Sequence, residues 1–377
     1  MKIKIFFVII KAKERQAIFL QYNHLIDMDD YSVAQWNDIV SLAERIKTNP
    51  EEYSEMCKGK IMATLFYEPS TRTQMSFQAA MIRLGGSIIG FDNPGNSSVA
   101  KGENLKDTIK IVSTYSDILV MRHNQEGSAK AAALCADCHV INAGDGGHLH
   151  PTQTLTDLLT LKSELGRLDN LTVGLCGDLK YGRTVHSLVK ALSCYPNNKF
   201  VLISTPALAL PSYVKEFIKS HNSSFIEVKT IDECIGKLDM LYMTRIQRER
   251  FDSDEEYERQ KNVYCLTKAK MSYARKDMIV MHPLPRVNEI EVAVDDDPRA
   301  AYFRQANNGM YVRMALILTT MNLTPKIKPL LLGEIHNEIC CTNPKCITQT
   351  EKYLPHSFLR YGDILICEYC DERILLH

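Results

Sequence analysis

Between residues 61 and 281 short runs of strand-forming residues alternate with stretches whose apolar positions recur at helical spacing. No other feature restricts the fold so sharply. Strands joined by helix-length connections pair in parallel, because antiparallel neighbours need only tight turns. The first predicted strands occupy 61–67, 87–91, 118–121 and 140–142; a second group occupies 171–177, 199–203, 225–228, 240–243 and 278–281. A helix is predicted over 152–166, with Leu155, Leu158, Leu159 and Leu161 on its apolar side, joining the groups. The expected class is α/β, with two doubly wound parallel-sheet domains. Open sheets of this kind hold ligands outside the carboxyl ends of their strands, so the residues just after each strand carry the functional argument.

A chain of 377 residues, 45% of them hydrophobic, can bury enough core for two or three domains of ~150 residues each. Forty-five basic side chains balance forty-five acidic ones, so no global field draws the chain to nucleic acid or an anionic membrane. Any anion site must be local. The apolar run Ile5 to Ile10 is six residues long, is closed by Lys11 and lacks a small-residue cleavage motif, so residues 1–21 read as an extension and not a signal peptide. With no apolar run of ~18 residues, no membrane span is expected.

Tyr67-Glu68-Pro69-Ser70-Thr71-Arg72-Thr73 lies where the first strand gives way to a helix. Two readings fit it. In one, Ser70 or Thr71 caps the helix and Arg72 is a surface charge. In the other, the unpaired first-turn N–H groups, the hydroxyls and the guanidinium form a phosphate cradle at the positive end of the helix dipole. Later strand ends favour the cradle. Arg122 follows the third strand, a glycine-rich loop from Asn142 leads to His150 and Gln153, and Arg183 and Arg245 each follow a strand of the second group. Four arginines so placed are hard to read as four surface charges. His282-Pro283-Leu284-Pro285 adds a loop that two prolines hold rigid.

Seven of the twelve cysteines (Cys57, Cys135, Cys138, Cys176, Cys194, Cys234, Cys265) are scattered without pattern, as reduced core thiols are in a cytosolic protein. The other five crowd the C-terminus. Cys341-x4-Cys346 and Cys367-x2-Cys370, twenty residues apart, form two thiolate knuckles suited to one tetrahedral Zn²⁺, with Cys340 left over. Two disulfides would fit the spacing but not the reducing compartment. Residues 355–366 read as a hairpin between the knuckles, making a ribbon too short to hold itself together without a structural metal.

Taken in order, Ser70-Thr71-Arg72-Thr73, Lys101-Gly102-Glu103, Met121-Arg122-His123, His150-Pro151-Thr152-Gln153, Lys180-Tyr181-Gly182-Arg183, Thr244-Arg245-Ile246-Gln247 and His282-Pro283-Leu284-Pro285-Arg286 resemble the catalytic chain of the aspartate carbamoyltransferase family over residues 23 to 322. The knuckles resemble the zinc domain of that family's regulatory chain. The resemblance implies an N-terminal extension (1–21), a carbamoyl-phosphate domain (22–151, completed by a helix at 304–322), an aspartate domain (152–303), a linker (323–334) and a zinc domain (335–377). The regulatory chain's nucleotide-binding domain has no counterpart, so no response of this chain alone to CTP or ATP is expected.

What the resemblance implies for function is the condensation of carbamoyl phosphate with L-aspartate in cytoplasmic pyrimidine synthesis. Ser70, Thr71, Arg72, Thr73 and Arg122 would hold the phosphate. Thr73, Arg122 and His150 would polarise the carbamoyl carbonyl, and Gln153 with the carbonyls of Pro283 and Leu284 would accept from its NH₂. Arg183, Arg245 and Gln247 would take the carboxylates of aspartate. Ser97 and Lys101 would reach the active site of an adjacent subunit, implying a homotrimer or an assembly of trimers. Glu68 would bridge the domains on closure, with Arg183 and Arg250. Asn288 departs from the family, where aspartate is common, which puts one local ion pair in question. Two alternatives stay open here: an ornithine carbamoyltransferase, against which stands the lack of a cysteine beside His282-Pro283-Leu284-Pro285, and an inactive zinc-ribbon scaffold, against which stand the intact arginines and the neutral charge.

Overall fold

The computed structural model describes residues 24–246, 253, 255, 257–258, 264–321 and 331–376. The extension at 1–21, Gln247 and Arg250 lie outside the described residues. The chain divides into one compact unit made of residues 1–152 with 310–377 and another made of residues 153–309.

In the first unit the order is α1 (Val33–Thr48), β1 (Ile61–Phe66), α2 (Thr71–Arg83), β2 (Ser87–Phe91), α3 (Leu105–Tyr115), β3 (Ile118–His123), α4 (Ser128–Cys135) and β4 (His139–Asp145). Its sheet runs β2-β1-β3-β4, parallel throughout. Five of the six residues of β1 are buried, as expected of a strand covered by helices on both faces. The sheet extends past the apolar runs that mark it in sequence. β3 continues to His123 because its pairing with β1 reaches Phe66 opposite Arg122, with a bulge between Met121 and His123. β4 continues to Asp145 because its polar residues are satisfied internally: Asn142 Nδ2 donates to Asp145 Oδ1 at 3.1 Å and Asn142 Oδ1 accepts from Gly144 N–H at 2.8 Å.

Helix α5 (Pro151–Leu165) leads into the second unit, which contains β5 (Thr172–Cys176), α6 (Arg183–Ser193), β6 (Lys199–Ile203), α7 (Ser212–Ser220), β7 (Ser224–Val228), β8 (Met240–Met243) and β9 (Ile279–Met281). Its sheet is also wholly parallel, in the order β7-β6-β5-β8-β9. Helix α8 (Tyr302–Met321) returns the chain toward the first unit. Among the described residues no helix is long and apolar enough to cross a membrane.

The C-terminal ribbon is a four-stranded antiparallel sheet, β10 (Glu334–Ile335), β11 (Ser357–Tyr361), β12 (Ile364–Cys367) and β13 (Arg373–Leu375), in that spatial order. Gly362, at φ 60°, makes the turn between β11 and β12. Instead of standing apart, the ribbon shares one core with the first unit: Ile347, Leu354, Phe358 and Leu365 pack among the buried residues Leu105, Ile109, Ala129, Ala132 and Ala133 of α3 and α4. Polar contacts close the seam. Glu126 N–H donates to Lys345 O and Ile347 N–H to Glu126 O, both at 2.9 Å, and Glu351 Oε1 accepts from Leu105 N–H, an α3 start. Lys130 pairs with Glu368 at 3.4 Å.

At the centre of this seam Gly127 has φ 83°, and an added Cβ would stand 2.5 Å from Cβ of Tyr369 and 2.6 Å from its carbonyl oxygen. Gly362 has a similar φ but open space around it. Gly362→Ala should therefore cost about 1–2 kcal/mol, the left-handed backbone penalty alone. Gly127→Ala should cost more, because the seam must also open. Thermal melts of the two variants check this; an equal shift in Tm would show that the ribbon yields freely.

Candidate active site and metal centre

Parallel pairing brings the carboxyl ends of β1, β3 and β4 to one edge of the first sheet, with the change in strand order between β1 and β3. Ser70 precedes α2 in an extended-like conformation (φ −155°, ψ 83°) and no side chain caps the helix. Its hydroxyl donates to Thr73 Oγ1 at 3.1 Å, so the capping reading fails and no side chain caps the first-turn N–H groups. Thr71 and Arg72 are exposed, Thr73 buried.

Arg122 stands on β3 beside this turn, where Tyr67 N–H donates to its carbonyl at 2.8 Å. Its guanidinium pairs with Glu68 at 2.8 Å and donates to Ala143 O at 3.3 Å. Burial lowers the arginine's pKa, and Glu68 opposes that shift. Glu68 thus meets an arginine of its own unit, where a closure role looks to Arg183 or Arg250. Next to Arg122, His123 is no cation: burial pushes its pKa down to about 4, and Nδ1 accepts from Gln125 N–H at 3.0 Å.

The loop from β4 to the buried His150 is held by Asp145. Its carboxylate accepts from Gly127 N–H at 2.8 Å and Leu149 N–H at 3.0 Å, and meets His148 Nδ1 at 3.1 Å. His148 Nε2 lies 3.1 Å from Asp371 of the ribbon. Burial disfavours charge on His148, but Asp145 and Asp371 outweigh it and hold its pKa well above the ordinary value. His150 itself has Nδ1 3.4 Å from Thr152 Oγ1. Ser97 and Lys101 lie on the loop after β2: the Ser97 hydroxyl is spent on Pro94 O at 2.8 Å, and Lys101 is exposed at the end of a short helical turn closed by Gly102 at φ 91°.

In the second unit the strand order changes between β5 and β8, and Arg183 and Arg245 follow those two strands. Thr244 stitches the strand ends together, with N–H and Oγ1 both donating to Cys176 O at 2.9 Å and Oγ1 accepting from Asp178 N–H at 2.9 Å. The approach requires glycine at 177: φ is 113°, and a Cβ would come within 2.6 Å of Thr244 O. Both arginines are partly buried. Beyond β9 the buried His282 shapes the proline loop. Its Nδ1 accepts from Leu284 N–H at 2.7 Å, which leaves Nε2 to donate to Glu289 at 2.8 Å. Leu284 takes φ 53° there. Asn288 N–H donates to Glu289 Oε2 at 3.1 Å, and Arg286 pairs with Asp295.

Three family models match this chain. The carbamoyl-phosphate-binding domain of aspartate/ornithine carbamoyltransferases matches residues 23–163, their Asp/Orn-binding domain matches 169–320, and the metal-binding domain of the aspartate carbamoyltransferase regulatory chain matches 333–375. The aspartate carbamoyltransferase catalytic subunit of Clostridium novyi (strain NT) is 58% identical over 304 residues, covering 81% of this chain and 99% of that protein. That of Clostridium perfringens (strain SM101 / Type A) is 59% identical over 299 residues, covering 79% and 97%. The chain belongs to the aspartate carbamoyltransferase family. The ornithine and inactive-scaffold alternatives find no such support. In three dimensions this carbamoyltransferase resembles the catalytic subunit of the M. jannaschii enzyme (TM-score 0.75, 45% identity, 79% of this chain and 98% of that one). It also resembles the Trypanosoma cruzi enzyme in complex with N-(phosphonacetyl)-L-aspartic acid (TM-score 0.75, 41% identity, 80% and 96%).

Cys341, Cys346, Cys367 and Cys370 come together as a buried cluster with all four Sγ atoms within 4.8 Å of one another. Cys341 and Cys370 lie 3.5 Å apart, Cys346 and Cys367 3.9 Å. Tetrahedral thiolates about 2.3 Å from a metal stand roughly 3.8 Å from each other, so the cluster fits a four-coordinate ion. Thr348 Oγ1 donates to Cys346 Sγ at 3.2 Å, and hydrogen bonds from Cys341 and the other thiols draw Cys346 strongly toward thiolate. Cys340 is exposed, 3.8 Å from His356 Nε2, and outside the cluster.

Sequence reasoning passed over the residues that hold these groups in place: Asp145, His148, Thr244, Glu289 and Asp157. Asp157 was legible, four residues after Gln153 on one helix face. It is fully buried, and its Oδ1 accepts from Gln153 Nε2 at 2.8 Å and Gln305 Nε2 at 2.7 Å while Tyr242 hydroxyl donates to Oδ2 at 3.0 Å. Burial pushes its pKa up to about 7, against the pull of those donors. A raised folded pKa means that the folded chain takes up a proton, so this group's contribution is present in acid and is lost as pH climbs toward 7. Asp157→Asn removes the dependence. The Tm of wild type relative to Asp157→Asn should fall as pH rises from 5 to 7, by up to about 1.4 kcal/mol per pH unit in stability, readable by scanning calorimetry at several pH values.

Proposed function

We propose that this chain condenses carbamoyl phosphate with L-aspartate to N-carbamoyl-L-aspartate and phosphate, supplying pyrimidine synthesis in the cytoplasm. The observation that carries the reading is the uncapped start of α2, with Ser70 turned to Thr73 and Arg122 on the neighbouring strand. That is a phosphate cradle in which no side chain competes for the amides. The T. cruzi relative has been solved with carbamoyl phosphate and aspartate, which supports the same substrates here.

In this reading Ser70, Thr71, Arg72 and Thr73 hold the leaving phosphate, and Thr73, Arg122 and His150 stabilise negative charge as it builds on the carbamoyl oxygen. Gln153 Oε1 and the carbonyls of Pro283 and Leu284 accept from the carbamoyl NH₂. Arg183, Arg245 and Gln247 take the aspartate carboxylates by guanidinium forks and an amide. No enzyme nucleophile is needed, since the aspartate amine attacks the carbamoyl carbon and phosphate departs. The residues work by holding two anions together against their repulsion. Ser97 and Lys101 serve a neighbouring subunit of a homotrimer, while Glu68 leaves Arg122 for Arg183 and Arg250 when substrates bind. The exposed Met75 and Ile82, 62% and 58% accessible and seven residues apart on α2, support a subunit contact.

Binding of phosphonoacetyl aspartate tests the whole reading: it should bind far more tightly than phosphonoacetate or succinate, and no gain over either half would sink the proposal. Arg122→Ala should lower kcat by roughly 10²–10³-fold, the usual cost of one oxyanion donor, and Arg245→Ala should chiefly raise KM for aspartate.

The four-cysteine cluster would hold structural Zn²⁺, since all four ligands are sulfur and no position is left open for chemistry. Chelation should lower Tm and loosen the ribbon from the first unit, with recovery on adding Zn²⁺ but not Mg²⁺. Protease digestion followed by mass spectrometry reads the release; an unchanged cleavage pattern would mean that the shared apolar core suffices without metal.

A further inference from the structure

Asp157 is a carboxylate in the dry interior of the second unit, and none of the roles assigned above uses it. Both amides face one oxygen, Oδ1, which accepts whether or not Oδ2 carries a proton, so it dictates which end of each neighbouring amide turns toward it. Gln153 and Gln305 both present Nε2 to Asp157 Oδ1, at 2.8 and 2.7 Å, and both amide oxygens are thereby turned away. Tyr242 hydroxyl, at 3.0 Å, holds the second oxygen and with it the plane of the carboxylate.

The two oxygens turned away lead to the same place in the chemistry. Gln305 Oε1 accepts from His282 N–H at 2.9 Å, fixing the residue that opens the Pro283–Leu284 loop. His282 then holds Leu284 N–H through Nδ1 at 2.7 Å. Gln153 Oε1 is the acceptor assigned to the carbamoyl NH₂. One buried carboxylate therefore sets the polarity of Gln153 directly and the seat of the Pro283 and Leu284 carbonyls through Gln305.

We infer that Asp157 is the positioning residue that makes this site choose a carbamoyl donor over an acyl donor of the same shape, by presenting only acceptors to the donor's NH₂. The inference rests on the proposed role of Gln153 and the two carbonyls. Acetyl phosphate matches carbamoyl phosphate in charge and nearly in volume, with CH₃ in place of NH₂. A site of aligned acceptors rejects it because those buried oxygens stay unpaired. With Asp157 removed, the Gln153 amide can rotate and offer N–H, and that discrimination is lost.

The experiment compares carbamoyl phosphate with acetyl phosphate as donors to aspartate, using the full chain and reading the ratio of their kcat/KM values. Asp157→Ala should lower the ratio roughly tenfold or more, with most of the loss in carbamoyl transfer and little change in acetyl transfer or in KM for aspartate. Asp157→Asn, which keeps one acceptor oxygen for the two amides, should recover much of it. Gln305→Leu breaks the link from Asp157 to His282 but leaves the Asp157–Gln153 bond in place, and should give a smaller fall; it decides the question by itself where Asp157→Ala does not fold. Equal losses with both donors, or an unchanged ratio in Gln305→Leu and Asp157→Ala, would overturn the inference. An unchanged ratio in Gln153→Leu would instead overturn the role given to Gln153, so the two failures are distinguishable.

Discussion

Parallel strand pairing is the constraint from which the functional geometry follows. When β1, β3 and β4 pair in parallel, their carboxyl ends share one edge of the sheet, and each helix that follows begins there with its positive end. In the second unit β5 and β8 likewise end at one edge of their sheet, and α6 begins after β5. Anion-binding groups need no separate scaffold in such a fold. Ser70 to Thr73 after β1, Arg122 on β3, Arg183 after β5 and Arg245 after β8 are where they are because strand order puts the change of direction between those strands. The pairing also sets where glycine is obligatory, as at Gly177, where two strand ends meet through Thr244 at a distance no Cβ permits.

On that frame the ribbon adds a second set of restraints to the first unit. Asn343 of the ribbon donates to Glu126 at 2.6 Å, Glu126 accepts from Gly147 N–H at 3.2 Å, and Asp371, next to Cys370, meets His148. Both contacts end on the loop that presents His150. The four-cysteine ribbon thus braces, within the same chain, the loop that carries His150. His148 suits this role because it sits between two carboxylates: while protonated it can donate to both, so the loop and the ribbon share one cation.

The fold was legible in the sequence wherever burial leaves an apolar signature. β1, β5, β6 and β8 are mostly buried apolar runs, and the four zinc-type cysteines announce themselves by spacing alone. What was not legible is polar and buried. β4 reads as ending at Asn142, because Asn142, Gly144 and Asp145 look like a loop until their mutual hydrogen bonds are seen. β10 and β13 are too short to carry a period. In the site, the arginines and hydroxyls that would touch substrate are conspicuous because they interrupt apolar patterns at strand ends. The groups that orient them are not, since Asp145, Asp157 and Glu289 differ from surface carboxylates only in what folds around them. The Glu68–Arg122 pair illustrates the same limit: sequence offers several arginines to one glutamate, and only packing selects among them.

Affinity and choice therefore come from different physics in this protein. Guanidinium groups and helix starts attract phosphate and carboxylate strongly, but a positive field treats any acyl phosphate alike. Discrimination requires buried hydrogen-bonding atoms of fixed polarity, and an amide side chain has none until something fixes which way it faces. A carboxylate can do so because it has no N–H to offer, and it must be buried so that water does not compete for the same donors. The cost is a carboxyl whose charge burial disfavours, offset by hydrogen bonds from Gln153, Gln305 and Tyr242. Each of those donors is itself fixed by the bond it makes, and for Gln305 the restraint passes on to the backbone of His282. A carboxyl that never meets substrate can thus set which substrate the site accepts, with its influence carried through amides whose two ends are not interchangeable.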